Sequence, residues 1–199
     1  MPALAGLAHR AQRAAGLAAL PRDVRRFVLA AERRARELGD EFSVRSASRP
    51  HNLATILRLA KGRRRVVELG TATGWTACAL VLDDPARDVV TVDPVVRVHR
   101  AEYLALAGAA AARIDPRRAT GAAAAELGPA GVELLFVDSS HERDDTVAEL
   151  EAWRPNLAPG AVVVLDDMGH PDYPGVAQAA ADLGLPGRTV GSLYVTRLT

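Results

Sequence analysis

The chain has one cysteine, one lysine and few aromatic residues, and each shortage closes off a class of reading. With Cys78 alone, no internal disulfide can form; a reducing compartment fits, and the residue's place in an apolar run points to packing. Lys61 is the only lysine among 25 basic residues. Beside so much alanine, the arginine excess reads as coding bias and not as a binding surface. A formal charge of +1 supplies no field that would draw nucleic acid or membrane. Aromatics, at 4% of the chain, are too sparse to interleave with a basic stripe. The one arginine run, Arg63-Arg64-Arg65, suits a helix end, where cations are favoured. No apolar window approaches the ~18 to 20 residues of a membrane span. The first 20 residues are rich in alanine and leucine, but His9, Arg10 and Arg13 interrupt them and the charged start of a secretory leader is missing. A plain N-terminal helix and a cytoplasmic location are expected, in preference to an organelle transit peptide.

What is present is an ordinary globular composition, 199 residues with 49% hydrophobic and 25% charged, which argues for a single domain. Leu4, Leu7, Ala11, Ala14 and Leu17 recur at helical spacing, and Pro21 sits where the first turn of a second helix tolerates it. That helix carries Val24, Phe27, Val28, Ala31, Ala35 and Leu38 on one stripe, with Gly39 as its stop. The stripe must be covered, either by the sheet's edge or by a second subunit, so a homodimer stands as an expectation. Glu41 to Pro50 reads as an ordered loop whose Arg45, Ser46, Ser48 and Arg49 are either near a site or solvated, ahead of a helix over 52–59.

From Val66 the pattern changes. Strands are expected at 66–69, 89–93, 117–120, 132–138 and 161–165, with helices at 76–82, 100–112, 142–153 and 174–183 between or after them. A turn is expected at Pro159-Gly160, and an antiparallel pair at 188–190 and 192–197. Strands alternating with helices give a parallel sheet covered on both faces. Gly70 and Gly74 bracket the first strand-to-helix turn, so the backbone there can take a left-handed conformation and approach a ligand, whose charge the next helix's N–H groups would face. Glu68 is a carboxylate near the end of an apolar strand, where an unpaired charge is costly; a ligand cation or backbone donors would account for it. Asp93, Asp138, Asp166 and Asp167 also fall at strand ends, where ligands bind an open parallel sheet. Asp93 follows Glu68 by 25 residues, close to the ~20 at which a carboxylate meets a ribose after a glycine turn.

The run Val67-Glu68-Leu69-Gly70-Thr71-Ala72-Thr73-Gly74-Trp75, with its Glu-x-Gly-x-x-x-Gly spacing, resembles the first motif of class I S-adenosylmethionine-dependent methyltransferases. Leu135 to His141 and Leu157 to Asp167 are similar to the small O-methyltransferase branch of that superfamily, and the resemblance covers roughly residues 45 to 199. It implies a Rossmann-like three-layer α/β sandwich, with a mostly parallel seven-stranded sheet and an antiparallel C-terminal strand. Residues 1–40 would form a helical extension to a methyltransferase core at 45–199. It further implies that Glu68, Gly70, Thr71, Gly74, Trp75 and Asp138 line S-adenosylmethionine, and that Asp93 accepts hydrogen bonds from its ribose. Many relatives place an adenine-touching acid near 120–122, where this chain has only Thr120-Gly121-Ala122. In some relatives acids at the positions of Asp138, Asp166 and Asp167 hold a divalent cation, and such a set suits Mg2+; other relatives work without metal. Both alternatives stay open at this point.

Of the five histidines, His141 follows Asp138 by three residues on the ligand side of the sheet, where a base would take a proton from a substrate hydroxyl. His170 is a second choice; His9, His51 and His99 read as structural. Methyl transfer needs donor and acceptor held in line within dry walls, and a hydroxyl acceptor must also lose a proton. Asp138 and His141 are the expected catalytic pair, acting on a small-molecule hydroxyl, with an amine acceptor or a non-catalytic cofactor-binding protein as alternatives. A nicotinamide oxidoreductase shares the fold, but the glycine spacing differs and no tyrosine-lysine pair is available. The acceptor walls should come from the N-terminal helices and the loops at 41–50 and 168–174.

Overall fold

The alternation read from the sequence builds one seven-stranded sheet, and its strand order decides where the loops gather. The computed structural model describes residues 2–198, with side chains from Arg10 onward, so Leu4, Leu7 and His9 lie outside the described side chains. Four helices come first: α1 Pro2–Ala19, α2 Arg22–Leu38, α3 Glu41–Ser46 and α4 Pro50–Ala60. Then follow β1 Arg65–Leu69, α5 Trp75–Asp83, β2 Asp88–Val92, α6 Arg100–Leu106, β3 Ile114–Arg117 and β4 Val132–Val137. The chain finishes with α7 Arg143–Trp153, β5 Leu157–Leu165, α8 Pro174–Asp182, β6 Gly187–Val190 and β7 Leu193–Thr196. The sheet order is β3-β2-β1-β4-β5-β7-β6, parallel throughout β1 to β5, with β7 antiparallel to both of its neighbours. The order reverses at β1, between β2 and β4, so the turns after β1, β2 and β4 open into one crevice.

Both faces of the sheet are covered. Val66, Phe136 and Val164 point to a layer holding α2, α4 and α5; Val67, Leu135 and Val163 point to the other, holding Leu150, Trp153 and Val176. Adjacent residues facing opposite ways is the two-residue period of a strand, which is why these runs read as continuously apolar. Trp153 is fully buried and its indole N–H donates to Gly121 O at 2.8 Å, fixing α7 against the turn that follows β3.

Several expectations need correction. The apolar stripe of α2 is buried within the chain, with Val24, Ala31 and Ala35 at 0% exposure, so it offers no ground for a second subunit. Residues 41–46 form a helix and not a loop, because Asp40 accepts from Ser43 N at 3.0 Å and from Tyr103 Oη at 2.8 Å. The third strand lies at 114–117, earlier than expected, and the helix after β2 stops at Leu106, where Gly108 with φ +58° turns the chain into a short 3-10 segment. Pro159 and Gly160 lie within β5, beside a register shift against β4, and so do not separate two elements. Of the arginine run only Arg63 meets the expectation, its Nη1 donating to Leu59 O at the end of α4, whereas Arg64 and Arg65 donate to Ala86 O and Ala130 O. Cys78 is buried, as packing requires, and burial raises its thiol pKa. Among the described residues no helix is long and apolar enough to cross a membrane.

Candidate active site

The crevice holds a cavity of 1190 Å³, within which Glu68, Gly70, Thr71, Trp75, Asp93, Asp138, Asp166 and Asp167 all border the same space. That exceeds the several hundred Å³ of an ordinary ligand pocket and leaves room for two reactants. The first turn is shaped by a close crossing. Gly70 has φ +101°, and a Cβ there would overlap the Asp138 carbonyl oxygen and lie 2.5 Å from its carbonyl carbon. Gly74, with φ +85°, precedes the first residue of α5 and does not line the cavity; a Cβ on it would meet Leu104 at 3.1 Å. Ala72, between them, takes φ +45° without being glycine.

Asp93 holds that turn from the next strand. Its Oδ2 accepts from Ala72 N at 2.8 Å and its Oδ1 from Val95 N at 2.7 Å. Arg100 closes the arrangement, donating to Ala72 O at 2.9 Å and Val95 O at 2.6 Å and lying 3.5 Å from Asp93 Oδ2. Beneath, Glu68 is buried with Thr91 Oγ1 as its hydrogen-bond donor, and Thr91 reaches Thr71 Oγ1 at 2.8 Å. Burial raises the Glu68 carboxyl pKa to about 8, the Thr91 bond opposes this, and the charge of Asp138 adds to it. Trp75 is buried edge-on to Tyr103 with its indole N–H unpartnered among the described residues.

The other half of the cavity centres on His141. Its Nε2 lies 3.3 Å from Asp138 Oδ1 and 3.4 Å from Asp167 Oδ2, close enough for ion pairing but off the line of a hydrogen bond. Both His141 (φ +62°) and Asp167 (φ +55°) adopt left-handed backbone, a conformation that costs free energy and recurs at functional sites. Burial works against the imidazolium, but Asp138, Asp167 and Asp166 outweigh it and the His141 pKa is raised. Asp138 is raised chiefly by burial; Asp166 is raised to about 7 by burial and by the nearby Asp138 charge. Asp166 is held through a chain from α4, Asn52 Nδ2 to Ser192 Oγ at 2.6 Å and Ser192 Oγ to Asp166 Oδ1 at 2.8 Å. Tyr173 stacks between His141 and His170, its ring centroid 4.8 and 4.7 Å from theirs.

The three acids expected to hold a cation thus share the cavity without sharing a point. The His141 ring edge stands between two of them, and the third accepts from Ser192 and from Asp167 N at 2.7 Å. Among the described residues no group of three or more His, Cys, Asp or Glu side chains is arranged to hold a metal ion. In this arrangement the site does not fit one. The segments expected to form the acceptor walls line the cavity: Gln12 and Arg13 of α1, Val28 and Glu32 of α2, Phe42, the stretch from Val44 through Asn52, and His170 with Tyr173. Arg45, Ser46, Ser48 and Arg49 are therefore cavity residues, and so is His51, which reads as structural in the sequence; His99 pairs with Glu102 at 3.2 Å on the surface of α6. Arg100, Asn52, Ser192 and Glu149 were not anticipated. No spacing distinguishes Arg100 from the other arginines, and the rest meet only through tertiary packing.

The profile of a family described as a methyltransferase domain matches residues 67–168, about half of the chain and all of the first turn, Asp93 and the Asp138–Asp167 face. No curated protein matches the chain. Among solved structures, a Podospora anserina methyltransferase bound to S-adenosylhomocysteine is similar over 88% of this chain and 87% of its own, with TM-score 0.65 and 15% identity. CalS11, a TDP-rhamnose 3'-O-methyltransferase of calicheamicin biosynthesis, is similar over 73% and 76%, with TM-score 0.60 and 20% identity. MycE, a methyltransferase of mycinamycin biosynthesis in complex with Mg and S-adenosylhomocysteine, is similar over 79% of this chain and 53% of its own, with TM-score 0.54 and 17% identity. At these identities the likeness is one of fold. The family match, falling on the glycine turn and the strand-end acids, places the chain among the class I S-adenosylmethionine-dependent methyltransferases, with the fold of solved O-methyltransferases.

Proposed function

We propose that the protein transfers the methyl group of S-adenosylmethionine to a hydroxyl oxygen of a small molecule. One observation carries the choice of oxygen: His141 stands between Asp138 and Asp167 on the wall of the cavity that the glycine turn and the N-terminal helices also line. Asp93 would hold the ribose, the Gly70 turn and Glu68 would face the amino acid end, and the methyl would point toward His141. The acceptor oxygen attacks the methyl carbon as the carbon–sulfur bond breaks, leaving S-adenosylhomocysteine. The hydroxyl proton passes to the imidazole, and the flanking carboxylates stabilise the imidazolium that forms. An amine acceptor needs less of this help, so the histidine between two acids favours oxygen over nitrogen. The polar lining from Arg45 to Asn52 suits a hydroxylated small molecule. The MycE complex with Mg makes metal assistance the second reading. The hard oxygen donors Asp138, Asp166 and Asp167 favour it, and their mutual repulsion is what a cation would relieve. It requires His141 to withdraw from between Asp138 and Asp167.

The test is transfer of labelled methyl from S-adenosylmethionine to a panel of small hydroxyl and amine acceptors, with and without chelator. Methylation of hydroxyls that survives chelation and falls about 10²- to 10⁴-fold in His141→Asn is the expected result. Turnover lost on chelation and restored by Mg2+ would replace the histidine account with the metal one. Undiminished turnover with alanine at Asp138, Asp166 and Asp167 would end the O-methylation reading.

A further inference from the structure

His141 borders the cavity where, on the reading above, the transferred methyl faces its acceptor. A cofactor whose ribose sits on Asp93 must then extend its base the other way, past Val95 toward the turn after β3, where Thr120, Gly121, Ala122 and Ala148 form the wall. That turn carries no acid, yet an acid is present. Glu149, on α7, lines this end of the cavity and is 5% exposed. Its Oε2 accepts from Ser139 Oγ at 2.6 Å, while its Oε1 has no hydrogen bond, and no arginine pairs with it, among the described residues. That oxygen opens on the cavity, where a ligand donor can reach it, and burial of the residue raises the carboxyl pKa to about 7.

Gly121 supplies an independent indication. Its φ lies outside the left-handed range, so the backbone there does not demand glycine; but a Cβ would overlap Glu149 Oε1 and lie 2.6 Å from Cδ. The missing side chain at 121 is the space that the Glu149 carboxylate fills. Trp153, one turn further along α7, clamps the helix to Gly121 O at 2.8 Å and so fixes the carboxylate at this edge. Adenine presents one strong donor there, its exocyclic amino group. We propose that Glu149 accepts the hydrogen bond from the adenine amino group, reaching in from α7 in place of the acid that Thr120-Gly121-Ala122 lacks. The proposal rests on the cofactor reading above.

The experiment compares S-adenosylhomocysteine with S-inosylhomocysteine, in which the amino group is replaced by a carbonyl oxygen, by calorimetric titration of the full chain. Wild type should prefer the adenine compound by about 10- to 100-fold, the range for a hydrogen bond to a charged group. In Glu149→Ala the preference should collapse toward parity. Glu149→Gln keeps the side chain's size and can donate to the inosine oxygen, so there the preference should vanish or invert. The ratio is internal to each variant, and the Gln variant decides the matter if the Ala variant does not fold. A wild-type ratio retained in Glu149→Gln overturns this proposal alone. Wild type that binds neither compound removes the cofactor reading together with it.

Discussion

The close crossing at Gly70 makes a quantitative prediction possible, because the same chain contains a matched control. Gly62 has φ +75° with nothing within 4 Å of where its Cβ would stand, so alanine there incurs only the conformational penalty. That penalty is about 1–2 kcal/mol. Gly70→Ala, at φ +101°, incurs at least as much, and in addition forces its Cβ onto the carbonyl of Asp138, which must move. Overpacking of this kind adds about 1–3 kcal/mol. For a chain of 199 residues, the extra term corresponds to a melting temperature lower than that of Gly62→Ala by roughly 2–12 °C. Because the displaced residue is Asp138, three positions before His141, Gly70→Ala should also lose methyl transfer while Gly62→Ala keeps it. Thermal unfolding by circular dichroism and a single-turnover assay on the same preparations measure both effects. Equal melting temperatures and equal turnover in the two variants would refute the claim that the crossing of the turn with Asp138 organises the site.

Further predictions follow from the same geometry. Asp93→Ala removes the acceptor for both Ala72 N and Val95 N, so affinity for S-adenosylhomocysteine should fall at least about tenfold by calorimetry, whether or not the ribose is held directly. The raised His141 pKa means that its basic form appears only above the ordinary histidine range. The single-turnover rate should therefore climb with pH on an acid limb lying above the ordinary histidine range, and His141→Asn should lack that limb. Glu68 is buried with its pKa raised from 4.5 to about 8, so in that window the native state holds a proton that the unfolded chain has released. Stability must then fall as pH rises from 4.5 to about 8, and urea unfolding of Glu68→Gln across the window should show a flatter profile.

What the sequence disclosed is what local chemistry can carry. The glycine turn, the acids at strand ends and the reversed last strand each have a signature within a few residues, and all lie where that signature put them. The third strand reads late in the sequence because Ile114–Arg117 contains a proline and an exposed aspartate, with one buried residue to mark it. The α3 helix had a legible start in Asp40 and Ser43, a capping pair obscured by the brevity of the segment. Periodicity shows that the stripe of α2 must be covered, but what covers it lies elsewhere in the chain and is invisible to periodicity. The same limit applies to the site. His141 was found by its nearness to Asp138, whereas Asn52 reaches Asp166 through Ser192 across 140 residues. Glu149 filling the space above Gly121 is a matter of packing, with no spacing to announce it.

The central claim is that the crevice above β1, β2 and β4 binds S-adenosylmethionine. Calorimetric titration of the full chain with S-adenosylhomocysteine, with NAD as the control ligand, tests it most directly. The account predicts micromolar binding of the homocysteine compound, on the order of −8 kcal/mol, and none of NAD. Binding of NAD in preference, or of neither ligand, would contradict it.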